Sequence, residues 1–345
     1  MARQFAVFRS IRQWLKGWQH RSVRSFALLF AVGVGVSLAI AACSPTPDAT
    51  GSASPASAPA TTVVRIGHQK FDPLTLVKAR NGLEKRLQPL GIAVEWTEFQ
   101  AGPPLLEALN VGSIDIGRTG DAPPVFAQAA DAPLVYIGGS APKDKSSAVL
   151  VRPESPIQTV ADLRGKKIAF AKGSSSNYFI VQVLESAGLS IDDIEPVYLS
   201  PGDARSAFEQ GSIDAWAVWD PFYAAAEQQG ARVVRDSEGL VANRDFYLAS
   251  RSFAEQNSNV IQALAAETQA VAAWADDHPQ EVTKILSPLL GIDEAVLDVV
   301  TRRRNYGFEP MNDEMIAEQQ QIADTFFELK LIPKPVQVSD IVLNP

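Results

Sequence analysis

The chain is poor in the residues that most often carry chemistry. It has one cysteine, Cys43, in 345 residues. No disulfide can form within it, and no cysteine cluster can hold a metal. Histidine is nearly as scarce. His20, His68 and His278 are the whole set, too few for a histidine-rich metal site. Basic residues are in deficit, 31 against 39 acidic. Nucleic acid, which needs a basic footprint, is therefore not an expected partner. No Gly-x-Ser-x-Gly segment occurs, so the nucleophile elbow of serine hydrolases is missing. His68, a serine and Asp121 could be imagined as a hydrolytic set, but the sequence assigns the serines no base. Nothing asks for a cofactor.

The basic residues that are present are unevenly placed. Arg3, Arg9, Arg12, Lys16, Arg21 and Arg24 crowd residues 1–25, where there is no acidic residue. An uncharged stretch, 26–42, ends on Ile40-Ala41-Ala42-Cys43. A basic start, a short apolar run and small residues before a cleavage point describe a secretory signal peptide, 1–42. A lone cysteine directly after them fits lipidation of Cys43 as the new N-terminus. The alternative is an uncleaved membrane anchor, against which the run is short and Gly-rich. Removing 1–42 leaves 25 basic residues against 39 acidic ones, a balance of −14. An anionic ligand would then have to be held by local donors against the overall field. Residues 43–62 are mostly Pro, Ala, Ser, Thr and Gly and read as a flexible tether.

The body, from residue 63, alternates short apolar runs with amphipathic segments. Strands are expected at 63–67, 94–99, 114–117 and 134–137, with helices at 73–87, 103–111 and 123–130. The rhythm restarts at Lys167. This is an α/β pattern of mostly parallel sheets flanked by helices. Gly112-Ser113-Ile114-Asp115 recurs as Gly211-Ser212-Ile213-Asp214, and Asp121 recurs as Asp220, all at an offset of 99. Two similar units in tandem suggest two similar lobes.

Ligands in open α/β sheets sit outside the carboxyl ends of the strands. Two facing lobes would place there the loops 68–72, 100–103 and 118–122 from one side. From the other would come 172–177, 200–203 and 219–222. Gln69 and Gly102 fall in the first set. Ser174-Ser175-Ser176 follows Gly173 and opens a helix, so hydroxyls, free N–H groups and the helix dipole converge on an anion site. One serine is expected to cap the helix. Thr119 and Gly120 offer donors from the facing lobe. Asp121 and Asp220 precede helices and read as N-caps, or else as grips for a ligand ammonium. Trp219, at a strand end, suits an apolar ligand tail.

Several runs resemble the aliphatic sulfonate-binding proteins of ABC importers. They are Arg65-Ile-Gly-His-Gln-Lys70, Glu98-Phe-Gln-Ala-Gly-Pro103, Leu105-Leu-Glu-Ala-Leu-Asn-Val-Gly-Ser-Ile-Asp115 and Thr119-Gly-Asp-Ala-Pro-Pro124. Lys172-Gly-Ser-Ser-Ser176, Trp219-Asp-Pro221 and Phe246-Tyr-Leu-Ala249 continue the likeness. The resemblance implies a two-lobed type II periplasmic binding protein fold with the ligand cleft between lobes. The lobes would be 63–147 with 243–345, and 148–242, joined by two crossovers. It implies a monomer that binds a sulfonate, closes by hinge motion and hands its ligand to a permease and ATPase complex. Relatives bind taurine, nitrate, bicarbonate or pyrimidines, so these remain alternatives. His68 stands where the family tends to have Tyr. Arg118 stands where a small or aromatic residue is usual. If Arg118 points inward it supplies a bidentate cation; if outward, a surface charge.

Overall fold

A computed structural model describes residues 62–304 and 306–343. The expected signal segment, Cys43 and all but the end of the tether lie outside the described residues. Ten strands form two five-stranded sheets. The first holds β1 (Thr62–Gln69), β2 (Ile92–Phe99), β3 (Ile116–Gly120) and β4 (Leu134–Gly139). The second holds β5 (Ser147–Val151), β6 (Lys167–Phe170), β7 (Glu195–Tyr198), β8 (Ala215–Trp219) and β9 (Arg232–Asp236). The last strand, β10 (Asp245–Ser250), returns to the first sheet. The orders are β2-β1-β3-β10-β4 and β7-β6-β8-β5-β9. In each sheet three neighbouring strands run parallel and the fourth is antiparallel to its neighbours. This is the mostly parallel α/β architecture expected, built twice on one plan.

The repeated Gly-Ser-Ile-Asp tetrapeptide has the same task in both sheets. Gly112 and Gly211 take positive φ, 71° and 73°, where a side chain would be strained. Asp115 then accepts from the Arg65 backbone N–H at 2.8 Å, and Asp214 from the Lys167 N–H at 2.8 Å. Each aspartate thereby ties the turn before a central strand to the neighbouring parallel strand. Parallel strands are covered on both faces, and β3, β8 and β10 are buried almost throughout.

Most expected ends move by only one or two residues, and two elements depart further from the sequence expectation. Residues 73–87 form two helices, Pro73–Arg80 and Gly82–Leu87. Asn81 breaks them in the left-handed region at φ 54°, which Asn tolerates. Gly82 then lies so close to the helix Ser258–Asp277 that a β-carbon would meet Glu267 Oε1 at 1.8 Å. The strand expected at 114–117 instead covers Ile116–Gly120, because Asp115 belongs to the turn and β10 pairs as far as Thr119 and Gly120.

The chain crosses between the sheets twice, through residues 140–146 and 237–244, and the crossings are stitched together. Asn243 donates to Ser146 Oγ at 2.9 Å and to Ser147 Oγ at 2.8 Å. The Lys143 N–H donates to Ala242 O at 3.0 Å, and the Ser140 N–H to Asp245 O at 2.9 Å.

Candidate ligand-binding cleft

A cavity opens where the carboxyl ends of both sheets meet, lined among others by Gln69, Asp72, Gly102, Arg118, Gly120 and Lys143. Ser174, Ser175, Trp219, Asn243, Asp245 and Arg304 complete most of its wall. Its room for water-sized molecules is about 40 Å³. One water needs roughly 10–15 Å³, so the cavity fits a small polar group of a few atoms.

Two helix starts face it uncapped. The helix Gly102–Asn110 begins after Ala101, which has no side-chain cap. The helix Ser175–Glu185 begins after Ser174 in extended backbone. The expectation that a serine side chain caps this helix is overturned: Ser174 Oγ turns back to donate to Ala171 O at 2.7 Å. Asn177 instead steadies the loop by accepting from the Gly173 N–H at 3.0 Å. Pro103 and Pro104 have no N–H, so the first helix start offers the Gly102 N–H alone, and the second offers those of Ser175 and Ser176, to whatever fills the cleft.

The floor is a charge cluster. Arg118 points inward and is 1 % exposed. Its Nη1 lies 3.3 Å from Asp72 Oδ1 and its Nη2 lies 2.7 Å from Asp245 Oδ2. Lys143 Nζ approaches Asp245 Oδ1 at 3.4 Å and Arg304 Nη2 approaches Oδ2 at 3.4 Å. Burial alone would push Asp245 up, but Arg118, Lys143 and Arg304 hold its carboxyl below the usual range. Burial opposes the charge on Arg118, yet Asp245 and Asp72 outweigh it and raise its pKa. Lys143 is lowered, chiefly by burial, with Arg304 and Arg118 adding to it. Arg118 Nε has no hydrogen-bond partner among the described residues.

The structure brings Gln69, Gly102, Arg118, Gly120, Ser174, Ser175 and Trp219 to the cavity wall. It places Thr119, Asp121, Ser176 and Asp220 behind that wall, each at most 4 % exposed. Thr119 Oγ1 is buried without a partner among the described residues, tucked beneath Gly102, where a β-carbon would meet it at 2.0 Å. Ser176 Oγ is likewise buried and unpartnered. Asp121 accepts from the Ala122 N–H at 2.8 Å, and Ser175 across the cleft favours its charged form. Asp220 accepts from the Ala224 N–H at 3.0 Å, inside the first turn of the helix Phe222–Gln228. Both carboxylates thus serve helix starts. Burial pushes each up to about 6, with Ser175 pulling Asp121 down and Arg303 pulling Asp220 down.

Lys143, Asn243, Asp245 and Arg304 were not legible as site residues. Three sit in or beside the crossovers and one follows the helix Glu294–Arg302. Local pattern places none of them at a strand's carboxyl end. The run Arg302-Arg303-Arg304, in an acidic chain, was the available signal.

His68 is buried, with Nδ1 3.2 Å from both Gln69 O and Thr75 Oγ1. Burial lowers its pKa. No hydrogen bond among the described residues joins it to Ser174, Ser175 or Ser176, so the imagined hydrolytic set is not assembled.

A family model described as NMT1/THI5 like matches residues 88–282. The periplasmic aliphatic sulphonate-binding protein SsuA from Escherichia coli is 45 % identical, with TM-score 0.75, over 82 % of this chain and 92 % of that one. The alkanesulfonate-binding protein SsuA from Xanthomonas axonopodis pv. citri, bound to MOPS, is 41 % identical, with TM-score 0.79, over 82 % and 99 %. The taurine-binding periplasmic protein of Escherichia coli is 26 % identical over 279 residues, 77 % of this chain and 82 % of that one. These relatives bind substrates rather than transform them. The match over more than half its length, and the 45 % identity to a relative covered almost end to end, show that this chain belongs to the NMT1/THI5-like family and, within it, to the aliphatic sulfonate-binding proteins.

Proposed function

We propose that the chain is the extracytoplasmic substrate-binding subunit of an ABC importer and captures aliphatic sulfonates. One observation carries this reading. Two uncapped helix starts, from opposite sheets, face a small cavity floored by Arg118, Lys143 and Arg304. A sulfonate presents three oxygens that share one charge. Backbone N–H groups and guanidinium forks match that geometry. Each helix end contributes about 0.3–1 kcal/mol at a surface and up to ~2 kcal/mol when partly buried. With charge-assisted hydrogen bonds of about 1.5–3 kcal/mol each, micromolar affinity, about −8 kcal/mol, is within reach.

In this reading Gln69, Gly102, Gly120, Ser174 and Ser175 line the headgroup. Thr119 and Ser176 are reserve donors that a small shift would aim inward. Trp219, set edge-on to Phe222 at 6.5 Å, forms the wall beside the organic tail. Residues 63–147 with 243–345 form one lobe and 148–242 the other, closing about the two crossovers. The protein works as a monomer held at the cell envelope by a lipid on Cys43, and it delivers its ligand to a permease and ATPase complex.

Titration calorimetry tests the reading with methane-, ethane- and butanesulfonate, taurine, nitrate and bicarbonate. Micromolar heats for the alkanesulfonates are expected. Heat from nitrate or bicarbonate alone would replace sulfonate as the ligand class. A preference for taurine over ethanesulfonate would return Asp121 or Asp220 to the role of ammonium grip.

A further inference from the structure

The floor of the cleft contains more negative charge than an anion site needs. Arg118, Lys143 and Arg304 would form a strong trap by themselves. Asp72 and Asp245 lie among them, and Asp121 stands directly behind Gly120. None of these six side chains is more than 11 % exposed. Asp220, equally buried behind the wall, faces Arg303 at 3.7 Å, so with that pair included the charges cancel, four against four. Lys70, half-buried at the cavity wall, adds the one positive charge left over.

Asp245 is the centre of this balance. Oδ2 faces Arg118 and Arg304, and Oδ1 faces Lys143. Both oxygens are committed to protein cations, so neither is left to grip a ligand ammonium. Its backbone is pinned as well: the Asp245 N–H donates to Ser140 Oγ at 3.1 Å, between the two crossovers. A carboxylate held so firmly in an anion cleft makes no sense as a ligand contact. It makes sense as a limit on charge.

We propose that Asp245 is a specificity-determining residue that sets the ligand's charge, so that the cleft accepts one negative charge and rejects two. Ions of nearly the same shape but different charge are then distinguished: a sulfonate fits, whereas a phosphonate dianion or sulfate leaves one charge uncompensated in a low-dielectric site. Uncompensated buried charge is the costly case. The proposal deepens the sulfonate reading and rests on it.

The test compares ethanesulfonate with ethylphosphonate by calorimetry on the purified protein between pH 7 and 9. Asp121, raised to about 6, stays ionised over this range. Ethanesulfonate affinity sets the baseline at each pH, because any loss of charge on Lys143, which burial lowers, would weaken both ligands alike. Ethylphosphonate should bind as its monoanion, weakening about tenfold per pH unit once its second proton is lost. It should also take up one proton per ligand, read from buffers of different ionisation heat. Asp245→Asn should shrink the sulfonate preference at pH 9 at least tenfold, mainly through a gain for phosphonate. Pairing without proton uptake in the wild type would overturn the proposal, and so would an unchanged preference in a folded Asp245→Asn protein. A taurine preference that disappears in Asp245→Asn would overturn it too, by making the carboxylate an ammonium ligand. If no sulfonate bound at all, the sulfonate reading would fall, and the charge rule would be read on nitrate against sulfate.

Discussion

Gly120 and Ser175 come from opposite sheets and touch: a β-carbon on Gly120 would lie 2.1 Å from Ser175 Oγ and 3.3 Å from Ser175 Cβ. Gly120 ends β3, and Ser175 starts the helix after β6. The absence of a side chain at one position lets the other side of the cleft close. Gly120→Ala should push the Ser175 hydroxyl aside and cost about tenfold in affinity, or ~1.4 kcal/mol. Gly120→Val should block closure and abolish measurable binding. Both variants should melt within a few degrees of wild type. Calorimetry beside thermal melting separates the effects; equal affinity in Gly120→Val would mean that the halves need not meet to bind.

Arg118 joins two carboxylates that no other single side chain among the described residues bridges. Its fork reaches Asp72 at 3.3 Å and Asp245 at 2.7 Å. Breaking a buried pair costs about 3–5 kcal/mol because the partner stays behind uncompensated. Arg118→Met should fall near the low end, about 3 kcal/mol, since Lys143 and Arg304 still face Asp245. Arg118→Lys should recover only part of this, because one ammonium cannot span both carboxylates. Urea melts of the ligand-free proteins would measure it. A loss below about 0.5 kcal/mol for Arg118→Met would show the cluster to be well hydrated.

The two sheets and the first half of the cleft were legible in the sequence because they depend on local signals. The Gly-Ser-Ile-Asp pair marks turns that place β3 and β8 at equivalent positions. Gly173 and the serine run mark a strand passing into a helix. The rest of the site was hidden because tertiary closure makes it. Asp245 lies 127 residues from Arg118, and Arg304 enters from a helical segment with no strand end nearby. Arg118 itself could point either way on sequence grounds. Pairing of β3 with β10 settled it, because Tyr247 sits opposite Arg118 and leaves its side chain within the cluster.

Asp121 and Asp220 predict an unusual pH dependence. Burial raises both from 3.8 to about 6 in the folded protein. A carboxyl raised on folding costs stability in full above its folded pKa, and the cost fades as pH falls toward the unfolded value near 4. By linkage, each ionised carboxyl costs up to roughly 3 kcal/mol at pH 8. The ligand-free protein should therefore gain stability from these two groups between pH 7 and 5. Asp245, held low, acts oppositely: its contribution is present above about pH 4 and is lost in stronger acid. Asp121→Asn should raise stability at pH 8 and flatten the rise between pH 7 and 5. Urea melts across that range check it; an unaltered profile in the Asp121→Asn, Asp220→Asn double variant would assign the dependence to other groups.

Arg303 offers a way to alter closure without touching the cavity. It follows the helix Glu294–Arg302, which packs against the helix Pro279–Leu290, and it reaches the helix Phe222–Gln228 that follows β8. Its Nη2 meets Glu227 at 2.9 Å, its Nη1 lies 3.7 Å from Asp220, and its guanidinium stands 4.2 Å from the centre of the Tyr223 ring. At 20 % exposure these contacts are partly screened. The ring contact contributes about 0.5–1 kcal/mol and the ion pairs about 0.2–1 kcal/mol. They join parts that hinge opening would separate, so they favour the closed form alone. Arg303→Ala should then weaken every ligand by about tenfold, ~1.4 kcal/mol, and leave the ranking among ligands unchanged. Small-angle scattering should show a more open ligand-free protein and an unchanged liganded one. The exposed pair between Arg205 and Glu209, within the single helix Pro201–Glu209, provides the control, since Arg205→Ala should alter neither measurement. A change of ligand ranking in Arg303→Ala would mean that the arginine acts through Asp220 on the cleft itself rather than on closure.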